Sequence, residues 1–297
     1  MTRVKASAII NIKTIEGSNY MSKKEEYQEI YINLDDSGKL SKKEELSVYA
    51  GIVFLSKQEK DKFITQYRKI INEIKCSYCN EEKGKCTKKC KEIKNTNIEI
   101  VGLDISTVEN CKELYKNYKD IDILVNNAGF GDCGYFISTN LEKEVQMINT
   151  NIVAYHVLTK LYLKNMQEKN KGKILNVASI AGFMPGPLMA TYYSTKAYVV
   201  RLSESIREEL RKEKSKVQIS ILCPGPVDTN FNKVANVEFA LKGLSSQYVA
   251  KYAIQKFLKG KFYIVPGIKI KLAKFASKMF PSNLVAKVSY NMQRKKI

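Results

Sequence analysis

From Ile98 onward the chain repeats one unit, a short apolar segment followed by a longer amphipathic one, and this repeat restricts the fold more than any other feature. "IEIVGLDIS" (98–106), "IDILVNNAG" (121–129), "GKILNVASIAG" (172–182) and "KVQISILCPGP" (216–226) read as buried strands. The segments between them read as helices. Ser106 with Glu109 has the capping-box spacing ahead of "TVENCKELYKNY", and Thr139 with Glu142 has it ahead of "LEKEVQMINTNIVAYHVLTKLYLKNM". A third helix carries Leu202, Ile206 and Leu210 at four-residue spacing. Repeated strand then helix predicts an α/β fold, a parallel sheet with helices on both faces.

The first 97 residues break this rhythm. "EIYINLDDSGKL" and "LSVYAGIVFLS" read as two strands whose short charged link suits an antiparallel hairpin, because a parallel crossover needs a dozen or more residues. A helical stretch, "KQEKDKFITQYRKIINEI", and a Cys- and Lys-rich loop follow. The expected division is therefore a small α+β segment over 1–97 and an α/β domain over 98–297.

Length and charge narrow the classes of function. At 297 residues the chain has room for one large domain or a domain with an attachment, and no apolar run reaches the ~18 residues of a membrane-spanning helix. The N-terminus has no long apolar run of the kind that marks a secretory leader. Seven cysteines, four of them crowded between residues 76 and 90, fit reduced thiols of a cytoplasmic protein. Fifty Lys and Arg against 30 Asp and Glu give a formal charge of +20, and no acidic residue follows Glu238. In that stretch Phe257, Phe262, Phe275 and Phe280 interleave with lysines. Two readings stand: a basic amphipathic segment for an anionic membrane surface, or a solvated face with core-facing aromatics.

Chemistry concentrates in "TYYSTKAYVV" (191–200). Tyr192 and Lys196 are four apart on one helical face, whereas Tyr193 has only Ala197 at that spacing. A phenol is a poor acid or base near neutral pH until a neighbouring ammonium stabilises its phenolate. Ser179 lies thirteen residues before Tyr192, at a strand's carboxyl end, where open α/β sheets place ligands. "NNAG" (126–129), Asn151 in the long helix and "CPGPVDTNF" (223–231) complete an ordered set. The lone His156 reads as a packing residue.

With that set in hand, residues 98 to about 290 resemble the short-chain dehydrogenase/reductase family, NAD(P)-dependent oxidoreductases of Rossmann fold. The resemblance implies that Tyr192 exchanges a proton with the substrate oxygen, that Lys196 lowers the phenol pKa and holds the nicotinamide ribose, that Ser179 orients the substrate, and that Asn151 holds a relay water. It also implies cofactor contacts: Asp104 at the adenine, Asn126, Ala128 and Gly129 beside the ribose, and Pro224, Gly225, Val227 and Thr229 at the carboxamide. The expected cofactor is NAD or NADP. Apolar loops around residues 183–189 and 231–243 point to a hydrophobic carbonyl or secondary alcohol as substrate, and a homo-oligomer is the expected assembly.

One part of the family pattern is absent. The turn T-G-x-x-x-G-x-G, which lets backbone approach the pyrophosphate at a helix N-terminus, has no counterpart; upstream of Ile98 the glycines Gly17, Gly38, Gly51 and Gly84 are isolated. In a sheet of order 3-2-1-4-5-6 the missing strands lie between those of Asp104 and "NNAG". Either the N-terminal segment supplies substitutes, or the sheet closes differently, or the fold is compromised. The alternative to an enzyme is an inactive remnant or a basic membrane- or nucleic-acid-binding protein.

Residues 29–97 resemble instead a fragment of an RNase H-like domain-of-unknown-function family with an Asp-x-Ser-Gly motif, here "DDSG" with Asp35 as the metal-binding carboxylate. The family's other acidic ligands are missing, so nuclease activity is not expected. On this reading the chain is a chimera joined near "KNTNIEI". Cys76, Cys79, Cys86 and Cys90, spaced C-x2-C and C-x3-C, have the donor set for a structural zinc, with four free thiols as the alternative.

Overall fold

The computed structural model describes residues 103–229, 231, 235 and 243–294 with their side chains, Val101 likewise, and the backbone of the strands before residue 102. Asp35, Cys76, Cys79, Cys86 and Cys90 lie outside the described residues.

The strands are β1 (Lys5–Lys13), β2 (Tyr27–Ile32), β3 (Val53–Phe54), β4 (Ile98–Val101), β5 (Ile123–Asn126), β6 (Lys173–Val177), β7 (Gln218–Leu222), β8 (Val227–Asp228), β9 (Leu244–Ser245) and β10 (Tyr263–Ile264). The main sheet runs β10-β7-β6-β5-β2-β1-β3, with β4 also paired to β1. From β10 to β2 every neighbour is parallel. β1 is antiparallel to β2, β3 and β4. The N-terminal segment thus supplies the substitute strands: β2 and β1 stand between β5 and the strand that leads to Asp104.

The hairpin expected between residues 29–40 and 46–56 is replaced by a different pairing. β2 runs antiparallel to β1 over Ala8–Lys13, and β3 joins β1 at Lys5 and Ala6. A strand has two edges, and those of β2 are taken by β1 and β5. The "AIINIK" run of β1 offers six paired positions against two in β3, so the longer ladder forms.

The parallel strands are short runs of Ile, Leu and Val, as expected of strands covered on both faces. Their two-residue alternation sorts the side chains into two cores. Leu124, Ile174, Ile219 and Ile221 pack with α1 (Val108–Asn117), α3 (Ala154–Glu168) and α4 (Ala190–Lys212) on one face. Ile123, Leu175 and Leu222 pack with Val249, Ala253 and Phe257 of α5 (Ser246–Leu258) on the other. Tyr155, Leu158, Tyr162 and Met166 of α3 are at most 1% exposed.

Two helix starts fall one residue later than the capping-box reading. Thr107 caps α1, its hydroxyl accepting from the Asn110 amide at 3.3 Å, because Ser106 is held in a turn by the Asp104 carboxylate. Asn140 caps α2 (Leu141–Ile148) by accepting from the Lys143 amide at 2.8 Å, while the Thr139 hydroxyl donates to Glu144. The long helix expected from residue 141 is two helices, α2 and α3, joined by a π-helical turn at Asn149–Val153. The C-terminal region adds α6 (Ile268–Met279) and α7 (Ser282–Gln293).

Candidate active site

Asn151, Ser179, Tyr192 and Lys196 are delivered by the crossovers that flank β6, and all four are at most 9% exposed. Lys196 sits one turn after Tyr192 on α4 and points its ammonium at the end of β6, where Nζ donates to the Val177 carbonyl at 3.1 Å. The Tyr155 hydroxyl donates to the same carbonyl at 3.1 Å, and the lysine Nζ lies 5.5 Å from that ring's centroid and 5.9 Å from the Tyr192 ring's. One main-chain oxygen, at the end of a buried strand, therefore fixes a charge beside the Tyr192 phenol.

Asn151 lies in the π-helical turn, a local widening that recurs at functional sites. Its amide group donates to the Phe130 carbonyl at 2.9 Å and to Thr195 Oγ1 at 3.0 Å, and its Oδ1 accepts from the Phe130 amide at 3.2 Å. Thr195 in turn donates to the Tyr192 carbonyl at 2.7 Å. The side chain is thus a pin between the loop after β5 and the Tyr192 turn of α4. Gly129 explains why the approach is possible: a Cβ there would stand 2.8 Å from Asn151 Oδ1 and 3.3 Å from Lys196 Nζ. The bare backbone of Gly129 beside an ammonium forms a wall that suits the hydroxyls of a nicotinamide ribose.

Ser179 caps the 3-10 turn Ile180–Phe183 by accepting from the Ala181 amide at 3.2 Å. Its own proton reaches the Pro224 carbonyl only at 3.5 Å, too long for a strong hydroxyl bond, which leaves it free to donate elsewhere. The Ile180 amide donates to the same carbonyl at 2.9 Å. Pro224 and Gly225 are thereby held next to Ser179, and Val227 continues into β8, paired with β9. Thr229 accepts from the Phe231 amide at 3.2 Å.

The sequence readings of Asp104 and Asn126 resolve differently. Asp104 stands at the mouth of the β4–α1 turn, half-buried, its carboxylate accepting from the Ser106 amide at 2.9 Å. Asn126 is fully buried and donates to Thr159 Oγ1 at 3.0 Å and Asn176 Oδ1 at 2.9 Å. Asn176 donates on to Ser203 Oγ at 2.9 Å. This polar ladder ties β5 and β6 to α3 and α4, so any contact of Asn126 with a ribose falls to its main chain. Ala128 is wholly buried in the larger core.

Tyr193 is occupied differently from its neighbour. Burial pushes its phenol pKa up, against the hydrogen bonds of Ser289 and Gln293, so it is a poorer proton donor than an ordinary tyrosine. Its hydroxyl accepts from Gln293 Nε2 at 2.5 Å and docks α7 onto α4. The Tyr192 ring faces an apolar cluster, with the Phe231 centroid 5.3 Å away and Met147, Ala181 and Met189 alongside. His156 is exposed and bonded to the Tyr198 hydroxyl at 2.7 Å, a bridge from α3 to α4 away from this site.

Sequence reasoning missed Tyr155, Thr195 and Asn176. Tyr155 follows Asn151 by four residues, and Asn176 is a polar residue inside an apolar strand; both signals were legible. The role of the Val177 carbonyl carries no side-chain signal at all.

Comparison with known proteins identifies the family and the fold. A family model described as short chain dehydrogenase matches residues 67–238, beginning inside the segment set apart over 1–97. An uncharacterized oxidoreductase of Schizosaccharomyces pombe is 34% identical over 143 residues, 46% of this chain and 48% of that protein. A ketoacyl reductase of Nostoc is 31% identical over 167 residues, 54% of this chain and 58% of that one. The chain spans about half the length of these curated relatives. Among solved structures, a short-chain dehydrogenase of Sphingobium yanoikuyae in complex with NADPH superposes with a TM-score of 0.53 at 22% identity, over 59% of this chain and 70% of that one.

Proposed function

Since the chain belongs to the short-chain dehydrogenase family, we propose that it is an NAD(P)-dependent oxidoreductase acting on a hydrophobic carbonyl compound or secondary alcohol. The observation that carries the reading is the Lys196 ammonium, fixed on the Val177 carbonyl beside Gly129 and one turn from Tyr192.

In the reducing direction the Tyr192 hydroxyl gives its proton to the substrate oxygen. The positive charge of Lys196 favours the phenolate left behind. Ser179 donates to the same oxygen, exchanging its long bond to Pro224 for a short one. Asn151 holds the Tyr192 turn in place through Thr195, and the main chain of its π-helical turn would hold the water that returns a proton. The cofactor, when bound, supplies the hydride. Lys196 and the Gly129 wall would hold its ribose, and the Pro224–Thr229 segment its carboxamide.

The apolar surroundings of Tyr192 support a hydrophobic substrate, in keeping with the ketoacyl reductase among the relatives. Cys111, Cys133 and Cys223 are free thiols, consistent with the cytoplasm as the compartment.

The competing reading, a non-catalytic remnant, is favoured by the absence of the glycine-rich turn from the sequence. Titration of the purified chain with NADPH and NADH by calorimetry decides between them. Saturable binding of one is expected, weaker than in enzymes with a complete turn, and no binding of either would refute the enzyme. Tyr192→Phe is expected to lower kcat at least 100-fold with cofactor affinity unchanged, the scale of positioned acid–base catalysis. An unaltered rate would remove Tyr192 from the role.

A further inference from the structure

The C-terminal helices carry an apolar surface that is exposed among the described residues. α6 has no buried residue, and Ile268, Leu272, Phe275 and Met279 are 64–75% exposed. Their spacing of four, three and four places them in one stripe along the helix. The aromatics that interleave with lysines in the sequence divide accordingly: Phe257 and Phe262 are in the core, while Phe275 and Phe280 face outward.

The opposite faces of both helices are already engaged. Ile270 of α6 fills the space left by Gly225, whose Cβ would stand 2.3 Å from Ile270 Cδ1. Lys274 lies over the Tyr263 and Phe183 rings, 3.1 and 4.5 Å from their centroids. α7 is held by Gln293 on Tyr193 and by the Tyr290 hydroxyl, 3.2 Å from that of Tyr135. The stripe of α6, and Leu284 and Val288 of α7, are therefore left exposed on the sides of the helices away from these contacts.

Charge selects what covers it. At roughly 100° per residue, Lys271 and Lys278 border the stripe of α6 on one side and Lys269 on the other. Neither helix contains an acidic residue. A second copy docked face to face would oppose lysines with lysines, which is repulsive. An anionic bilayer accepts both features at once, apolar side chains below the headgroups and ammonium groups at the phosphate level. We propose that α6 and α7 form a peripheral docking surface for anionic phospholipid membranes. The inference does not depend on the catalytic reading.

Co-sedimentation of the full chain tests it, using vesicles of phosphatidylcholine alone and of phosphatidylcholine with phosphatidylglycerol. Binding is expected to the anionic vesicles, weakening as salt rises. Lys271→Gln with Lys278→Gln is expected to lower partitioning on the order of 25-fold, about fivefold for each charge. Phe275→Ser with Met279→Ser, which leaves charge unchanged, is expected to lower it roughly tenfold or more. These side chains are exposed, so circular dichroism and melting temperature of both variants should match the parent. Failure to bind anionic vesicles overturns the proposal, as does binding untouched by the Phe275 and Met279 changes, the behaviour of a basic patch that adsorbs any polyanion. A concentration-dependent dimer that those two changes dissolve, without lipid binding, would assign the face to a second copy and equally overturn it.

Discussion

Across β5, β6, β7 and β10 each strand is parallel to the next and reached through a helix, whereas β1 and β2 meet as antiparallel neighbours at the place where two further crossovers would stand. The contrast matters because a crossover does two things. It covers a face of the sheet, and it brings a helix end or loop to the strands' carboxyl edge, where this fold works. Asn151, Ser179, Tyr192 and Lys196 all arrive in that way on the parallel side. The antiparallel side adds ladder hydrogen bonds to the sheet, and after β2 the sequence continues "NLDDSG" in place of a run of glycines. The residues proposed for proton transfer thus sit in the half that follows the family's pattern, and the half where that pattern would place a glycine-rich turn is built differently.

The largest expected effect comes from removing the antiparallel half. Deletion of residues 1–32 would strip β2 from β5 and leave a buried parallel strand with an open edge. Loss of cooperative melting and aggregation by light scattering are expected. A truncated chain that melts like its parent would make the parallel half self-sufficient and break the comparison.

A smaller effect, on the parallel half alone, is expected of Asn176→Leu. It removes the centre of the ladder, so that one buried Asn126 N–H loses its acceptor and Ser203 Oγ its donor, while Asn126 keeps Thr159 and Ser203 keeps the Val199 carbonyl. About 2–4 kcal/mol of stability should be lost in urea unfolding, since each orphaned buried group costs ~1–3 kcal/mol. A loss under about 0.5 kcal/mol would show that the ladder is decorative.

Smaller again is a pH effect at the far edge of the same half. The Tyr263 hydroxyl donates to Glu204, joining β10 to α4. Burial alone would raise the Glu204 pKa, but hydrogen bonds from Tyr263 and Arg201 outweigh it, and the carboxyl ends below its ordinary 4.5. A depressed carboxyl stabilises the fold above its unfolded pKa and loses that contribution as pH falls through the folded value. Glu204→Gln should therefore lower the melting temperature at pH 7 and make little difference below about pH 4. An equal gap at both pH values would refute the ion's contribution.

The least expected effect concerns reactivity. Burial, with the nearby carboxylates of Asp104 and Glu109, pushes the Cys111 thiol up to about 12, and burial does the same for Cys223. Maleimide labelling mapped by mass spectrometry should reach the half-buried Cys133 in the native state and spare these two. Fast labelling of Cys111 would mean that α1 opens where it meets β4.

Much of this architecture was legible in the sequence for the reason the two halves differ. Parallel strands covered on both faces must be apolar throughout, so β5, β6 and β7 declared themselves, although each proved shorter than its apolar run. Tyr192 and Lys196 were legible because helical periodicity converts a spacing of four into a shared face. β1 was not, since "KASAIINIK" is as apolar as many non-strands and its partner β2 lies beyond a link of no particular character. The cap positions slipped by one because two side chains with oxygen acceptors stood side by side at each start. Tyr193 was read only as the lesser of two tyrosines, and its bond to Gln293, a hundred residues away, has no local signal.

The π-helical turn at Asn149–Val153 has one further implication. Such a turn amounts to one surplus residue inside an otherwise regular helix, here between α2, whose Leu141, Val145 and Ile148 are exposed, and α3, whose Ala154 and Leu158 are in the core. Deleting a single residue there would mend the helix and swing everything before it by roughly a quarter of a revolution. The repaired helix would be the better helix, but Asn151 would no longer point at Phe130, and on the proposed function turnover would fall. Selection for thermal resistance and selection for turnover should therefore pull this one position in opposite directions, which makes its length, more than its composition, the trait to watch in evolved variants.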